Sequence, residues 1–157
     1  MNVKRLIKLS AIGIASLAVC ALVLPALASL DNPVTRPVKV WGYMTVVFNP
    51  MTGLGQCTDW GESTAGGRYS NAGWCALNAE GKFVAGEGVV VVANGDTIEW
   101  VIGSAPNNVV YTGGTGRFEG VTGGFVATGT SRTPPVLNPD GTVTFESTWV
   151  GFGEITY

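Results

Sequence analysis

The stretch from residue 112 to residue 124 constrains the fold of this chain more than any other. Valine, phenylalanine and threonine flank it, and its glycines are Gly113, Gly114, Gly116, Gly120, Gly123 and Gly124. Glycine at this density weakens a helix or a flat strand. We therefore expect glycine at these positions because the backbone has positive φ, forms a bulge or closely approaches another backbone segment. The pattern predicts a tight turn entering a strongly bent strand, as a corner of a small closed barrel requires.

The amino terminus has the features of an export signal. Lys4, Arg5 and Lys8 precede an apolar run from Leu9 to Leu24, and Ala26-Leu27-Ala28 forms a small-x-small cleavage site. We therefore predict a signal peptide at 1–28, cleaved after Ala28, then a linker at 29–37 and a single barrel domain at 38–157. An uncleaved membrane anchor and lipidation at Cys20 are the alternatives.

Cleavage would leave an acidic, sparsely charged protein. Residues 29–157 hold six basic and eleven acidic residues, a net charge of −5. That balance argues against nucleic acid and against anionic membranes as partners. We expect an exported protein, periplasmic or secreted, with no stable membrane association after cleavage.

Two cysteines remain after cleavage, Cys57 and Cys75. Paired cysteines in an exported domain most often form a disulfide, which here would contribute about 3 kcal/mol by closing a loop of roughly 18 residues. A metal site is the weaker alternative, because the chain has no histidine and carboxylates would have to complete the shell. We predict a disulfide, no metal and no cofactor.

Turn signals divide the rest of the chain into short strands. Asn94-Gly95-Asp96 and Pro139-Asp140-Gly141 are the clearest, since Asn-Gly and Asp-Gly suit tight hairpins. About eight strand-like runs lie between such turns: 38–48, 54–62, 68–77, 82–93, 97–103, 109–112, 117–130 and 142–156. The chain is predicted to be all-β, and eight sequential strands close most naturally as an antiparallel up-and-down barrel. A sandwich is the alternative.

Alternation of apolar and polar residues indicates which side chains face the core. In the last strand Val143, Phe145, Trp149 and Ile155 share one parity, and in the fifth strand Trp100 shares its parity with the flanking isoleucines. We expect Trp100 to be more than about 80% buried, as core aromatics commonly are.

The run from Tyr111 to Gly123 resembles the glycine motif of plant dirigent proteins and allene oxide cyclases, and of small exported bacterial proteins that carry the same signature. The Ala93–Asp96 hairpin and the terminal Gly153-Glu154-Ile155-Thr156-Tyr157 strand extend the likeness over roughly 86–157. The resemblance implies an eight-stranded calycin-type barrel, often trimeric in the plant members, so a homo-oligomer is a further expectation. It carries over no catalytic residue, because the motif marks a structural corner formed by Gly113, Gly114, Gly116, Arg117 and Gly120.

The residues offer little conventional catalytic chemistry. Without histidine, Ser–His and Cys–His schemes are excluded. The carboxylate pairs Asp59/Glu62 and Asp96/Glu99 are interpreted as solvated and structural, and Arg117 as a ligand of loop carbonyls or of a carboxylate at the rim. The glycine segment lacks the Lys-Ser/Thr ending of a phosphate-binding loop.

Five tryptophans give the best functional hint: Trp41, Trp60, Trp74, Trp100 and Trp149. Core filling is their expected role, with a ligand-lined cavity as the alternative. If the barrel is hollow, Trp41, Tyr43, Trp100 and Trp149 are the candidate ligand contacts.

The sequence thus favours an exported barrel without enzymatic activity that binds a small apolar molecule or serves as a surface module. The alternative is an enzyme, similar to the cyclase or dirigent members, that shapes a reactive lipid or phenolic intermediate through positioning and exclusion of water. A cavity with a buried carboxylate or arginine would favour the enzyme, whereas a filled interior would favour the structural module.

Overall fold

The computed structural model describes residues 32–157, which form one compact unit. The predicted signal peptide and its alternatives therefore lie outside the described residues. No helix within the described part is long and apolar enough to cross a membrane. The strands are β1 (Thr35–Phe48), β2 (Leu54–Ser63), β3 (Gly67–Leu77), β4 (Phe83–Val92), β5 (Thr97–Ile102), β6 (Asn108–Gly114), β7 (Thr122–Ser131), β8 (Val136–Leu137) and β9 (Val143–Thr156).

All nine strands belong to one antiparallel sheet. Strands β1 to β7 pair in chain order, β7 pairs with β9, and β9 pairs back with β1, so eight strands close a barrel. The two-residue strand β8 adds only to the start of β9. This confirms the predicted eight-stranded antiparallel barrel.

The strand boundaries follow the turn signals with three differences. β1 begins at Thr35, inside the segment 29–37 that we assigned to a linker, because Thr35 pairs with Thr156 of β9. Within the predicted strand 117–130, extended structure starts only at Thr122. β8, in the long connection after β7, was not anticipated. The Asn94-Gly95 hairpin forms as predicted, with Gly95 N–H donating to Val92 O.

The glycine segment forms a capped end of the barrel rather than a simple bent strand. Gly116–Phe118 is a single 3-10 turn, and it places the Phe118 ring, fully buried, against Tyr157 with ring centroids 5.0 Å apart. Val121 and Ile155 are buried as well. The segment therefore supplies the apolar plug at this end of the barrel.

Two glycines of this turn are needed for different reasons. Gly116 has φ +59°, and a Cβ there would run into the Asp96 carboxylate. That carboxylate also accepts hydrogen bonds from the Arg117 backbone N–H at 3.2 Å and from Asn94 Nδ2 at 2.8 Å. Gly114 does not have positive φ, but a Cβ on it would meet the backbone oxygens of Thr97 and Phe118. Close approach of backbones, not φ, therefore accounts for Gly114.

The Arg117 side chain does not act as predicted. Its guanidinium lies over the Phe118 ring, 4.7 Å from the centroid, and neither salt bridge of the described residues includes it. Asp96, in contrast, has the structural role in the turn that the sequence indicated, and Glu99 points outward and is exposed.

We expect Gly116→Val to lower the free energy of unfolding by roughly 1–3 kcal/mol, because the variant combines a strained backbone with loss of space for Asp96. Gly120→Val is the matched control, since Gly120 has φ +73° but nothing within 4 Å of its Cβ position. Urea denaturation of both variants separates the cost of the strained backbone from the cost of the contact with Asp96. Equal losses would show that the contact with Asp96 contributes nothing.

Candidate functional site: a polar-walled cavity in the barrel

The barrel interior is hollow. A cavity of about 470 Å³ runs along it, lined mainly by inward-facing side chains of the eight barrel strands and reaching from the buried Gly66 to the turn between β3 and β4. Exposed residues of that turn, Glu80 and Lys82, line it together with the exposed Gly129 and Ser131 near the end of β7. The cavity thus meets solvent between this turn and the end of β7, opposite the Phe118 plug. A volume of this size is typical of sites for small organic ligands.

The interior stays open because aromatic rings lie flat against glycines of the wall. The Trp100 indole lies across β4 and β3. If Gly88 and Gly73 carried Cβ atoms, these would lie 2.6 and 2.9 Å from Trp100 Cζ2. The Phe125 ring similarly occupies the space over Gly151. Rings placed on the wall in this way bury apolar area without filling the centre of the barrel.

A hydrogen-bonded chain of three side chains crosses the interior wall. Trp100 Nε1 donates to Asn71 Oδ1 at 2.7 Å, and Asn71 Nδ2 donates to Asp59 Oδ2 at 2.5 Å. Because an indole nitrogen can only donate, Trp100 fixes the orientation of the Asn71 amide. Asn71 in turn holds one oxygen of Asp59, and the other oxygen is buried without a hydrogen-bond partner.

The position of Asp59 corrects the sequence interpretation. We interpreted Asp59 and Glu62 as a solvated pair, but Asp59 is only 7% exposed and faces the lumen, whereas Glu62 is exposed on the outside. The two residues differ by an odd number of positions, so a strand places them on opposite faces. Asp59 shares its parity with Cys57, and cysteine is among the residue types most often buried, so this parity was the available signal.

Burial raises the pKa of the Asp59 carboxyl above its ordinary value of 3.8. The Asn71 amide and the Tyr69 hydroxyl favour the ionised form and offset part of the rise. The Tyr69 hydroxyl is near the carboxyl without meeting it in hydrogen-bond geometry. Burial also raises the pKa of both lumen tyrosines, Tyr69 and Tyr111, so their hydroxyls stay neutral.

Four buried side-chain atoms within residues 32–157 have no hydrogen-bond partner. They are Asp59 Oδ1, Tyr69 OH, Ser147 Oγ and Trp149 Nε1. All four residues line the cavity. An unsatisfied buried polar group costs about 1–3 kcal/mol and is rare in folded proteins. Sequence reasoning missed Tyr69 and Ser147, because a lone tyrosine or serine in a strand carries no signal of what lies opposite.

The tryptophan predictions are partly confirmed. Trp100 is 7% exposed and faces the interior, as its parity indicated. Trp149 also faces the cavity and stacks on Phe125 with ring centroids 5.5 Å apart. The indole and phenyl rings of this pair lie nearly parallel, 14° from one another. These two of the four candidate ligand residues therefore line the site.

The other two candidates, Trp41 and Tyr43, lie on the outer face of the barrel, so their assignment to the interior was wrong. They are 38% and 40% exposed. Tyr43 packs against Trp60 with ring centroids 4.7 Å apart, and Lys39 Nζ lies 5.4 Å from the Trp41 ring centroid. Val38, Val40 and the even-numbered positions after them face inward instead. Self-association, which such an outer face would permit, stays a prediction.

The cysteines Cys57 and Cys75 are both buried on the inner face of adjacent strands, and both are thiols in the structure. Their register is diagonal: Cys57 pairs with Gly73, and Gly55 pairs with Cys75. A hydrogen bond with Cys75, together with burial, raises the pKa of the Cys57 thiol. The two side chains are thus neighbours, and their oxidation to a disulfide stays a prediction.

No group of three or more histidine, cysteine, aspartate or glutamate side chains within residues 32–157 is arranged to hold a metal ion. The cavity is instead lined by apolar side chains with a few hydroxyl, amide and carboxyl groups. That composition suits an organic molecule with limited polarity.

Comparison with known proteins adds no assignment. No protein-family model matches the chain, and no curated protein matches it.

The raised pKa of Asp59 predicts a specific dependence of stability on pH. The folded state retains the proton to a higher pH than the unfolded state does, so the contribution is present below pH 3.8 and is lost as the pH rises through the folded value. Asp59→Asn should remove this loss, and the variant should unfold at a higher denaturant concentration than the wild type at neutral pH but not at pH 3.

Asp140→Asn is the control, because the Asp140 carboxyl is expected to change stability with pH in the opposite direction. Hydrogen bonds from Thr142 lower the pKa of the exposed Asp140 carboxyl, so its contribution is present above pH 3.8 and is lost as the pH falls. Denaturation midpoints between pH 3 and pH 7 test both residues. If the denaturation midpoints of the wild type and of Asp59→Asn change with pH in parallel, a raised pKa at Asp59 is contradicted.

Proposed function

We propose that this protein binds a small, mostly apolar molecule inside the barrel. The observation that carries the proposal is the cavity of about 470 Å³, whose wall combines apolar side chains with a small polar cluster. A module with a purely structural role would gain stability by filling this space, since empty volume and unpaired polar atoms both destabilise a fold. The hollow interior therefore supports binding over the structural alternative.

We place this function outside the cytoplasm. The basis is the sequence of residues 1–28, with its basic start, apolar run and Ala26-Leu27-Ala28 site. The resemblance of the glycine segment to exported barrel proteins supports the same proposal.

Binding is tested with N-phenyl-1-naphthylamine, a neutral probe whose fluorescence rises in apolar surroundings. We expect saturable binding to the wild type and at least tenfold weaker binding to Ala127→Phe, because Ala127 lines the cavity and the larger ring occupies it. Val126→Phe is the matched control: Val126 is the neighbouring residue on β7 but is 57% exposed on the outside.

The control variant should bind the probe as the wild type does, and thermal denaturation should show that both variants are folded. Probe fluorescence that rises equally with all three proteins would place the probe on the surface and contradict interior binding.

An enzymatic role is the second candidate, and Asp59 favours it. A buried carboxyl with a raised pKa beside an apolar cavity is suited to general acid catalysis, because it can supply a proton to an oxygen that gains charge during a reaction. The protein would then guide cyclisation of a reactive lipid or phenolic intermediate, as the resemblance implies, with the cavity wall setting its conformation.

The enzymatic role is tested with an unstable unsaturated fatty-acid epoxide generated in the presence of each protein. If Asp59 acts as the acid, the wild type should give an excess of one enantiomer of the cyclic product, and Asp59→Asn should give the racemate formed in buffer. A racemic product with the wild type would contradict this candidate and leave ligand binding unaffected.

A further inference from the structure

The four unpaired polar atoms are brought together by the register of the barrel. Met44 of β1 pairs with Asp59 on one side and with Ser147 on the other. Two residues along β1, Gly42 pairs with Trp149. Three of the four polar residues thus flank a short segment of a single strand, which we call the Gly42–Met44 segment.

Tyr69 reaches the same segment from the third strand. It pairs with Gly61, which in turn pairs with Gly42, and the Tyr69 hydroxyl lies 2.7 Å from the position of a Cβ on Gly42. Gly42 therefore makes room for this hydroxyl. Asp59, Tyr69 and Ser147 are 7%, 7% and 5% exposed, and each has a polar atom without a partner. Together with Trp149 they form the polar cluster of the cavity.

The chemistry of the cluster restricts what can bind it. Trp149 Nε1 is a donor only and needs an acceptor, whereas an ionised Asp59 Oδ1 needs a donor. A hydroxyl group is both donor and acceptor, and the hydroxyls of Tyr69 and Ser147 can adjust to it. An ammonium group has no lone pair for Trp149.

Charge complementarity excludes an anionic group at this place. Among residues 32–157, Lys82 is the only cationic residue in the lining of the cavity, and it lies in the β3–β4 turn with its Nζ 2.8 Å from the Glu80 carboxylate. A carboxylate at the cluster would lose its hydration without gaining a cation, and it would face Asp59. An uncharged ligand avoids both costs.

We propose that the barrel selects an uncharged, largely apolar alcohol or phenol, whose hydroxyl binds the cluster of Asp59, Tyr69, Ser147 and Trp149 while its hydrocarbon part fills the cavity. This inference rests on the proposed binding function. Its experiment uses 2-naphthol and 2-methylnaphthalene, which have nearly the same shape and differ in having a hydroxyl or a methyl group.

The measured quantity is the dissociation constant of 2-methylnaphthalene divided by that of 2-naphthol, obtained by displacement of N-phenyl-1-naphthylamine. Comparing this ratio between proteins cancels the different affinities of the two compounds for water. We expect the ratio to fall about tenfold in Trp149→Phe, and by a similar factor in Tyr69→Phe or Ser147→Ala if each contributes one hydrogen bond.

Stability provides a readout that a structural role would not give. Ser147→Ala removes a hydroxyl that is unsatisfied without ligand, so the denaturation midpoint of the empty protein should stay the same or rise while the ratio falls. Tyr69→Phe also removes a hydroxyl that favours the ionised form of Asp59, so for this variant the ratio alone is the readout. Tyr43→Phe and Ser70→Ala are the matched controls, because these residues are exposed on the outer face. Neither control should change the ratio.

The outcomes separate the two proposals. If the probe and both naphthalenes fail to bind the wild type, the binding function is overturned and this inference with it. If both compounds bind but the ratio is the same in the wild type and in all cluster variants, only the hydroxyl selectivity is overturned. Tighter binding of 2-naphthoate or of 2-naphthylmethylammonium than of 2-naphthol would overturn the preference for an uncharged ligand.

Discussion

The pairing of the first long strand with the last one is the constraint on which the rest of the structure depends. β1 and β9 pair over their full length, from Thr35 with Thr156 to Phe48 with Val143. This ladder converts a meander of hairpins into a closed barrel, which satisfies the backbone groups that two open edges would expose. Closure also directs every second side chain of the eight barrel strands into one shared interior. The cavity and its polar cluster exist only because of this closure.

Glycine has two separate functions in this barrel. At the plugged end, Gly116 permits the turn that buries Phe118. On the interior wall, Gly73 and Gly88 bring the backbone close enough for the Trp100 indole to lie flat on two strands. Rings that lie along the wall exclude water from the backbone while leaving the centre free. An interior of branched aliphatic side chains at the same positions would fill a barrel of this size.

The polar groups of the cavity conflict with stability of the empty protein. Asp59 has its pKa raised by burial, and the hydroxyls of Tyr69 and Ser147 have no partner. Departures from complete polar satisfaction tend to concentrate at functional sites, where a ligand supplies the missing partner. The hydrogen-bonded chain from Trp100 through Asn71 to Asp59 supports this interpretation, because it holds one carboxylate oxygen and leaves the other without a partner.

The sequence alone determined the fold class, most strand boundaries and the position of the glycine-rich corner, because hairpin turns and period-two alternation are local properties. It also placed Trp100 and Trp149 inside, since each shares its parity with most of the apolar residues of its strand. It failed for Trp41 and Tyr43, because β1 is apolar on both parities and only its pairing with β2 and β9 decides which face is inside. The polar cluster depends on tertiary structure even more strongly: Asp59, Tyr69, Ser147 and Trp149 come from three strands, and barrel closure brings them together around the Gly42–Met44 segment.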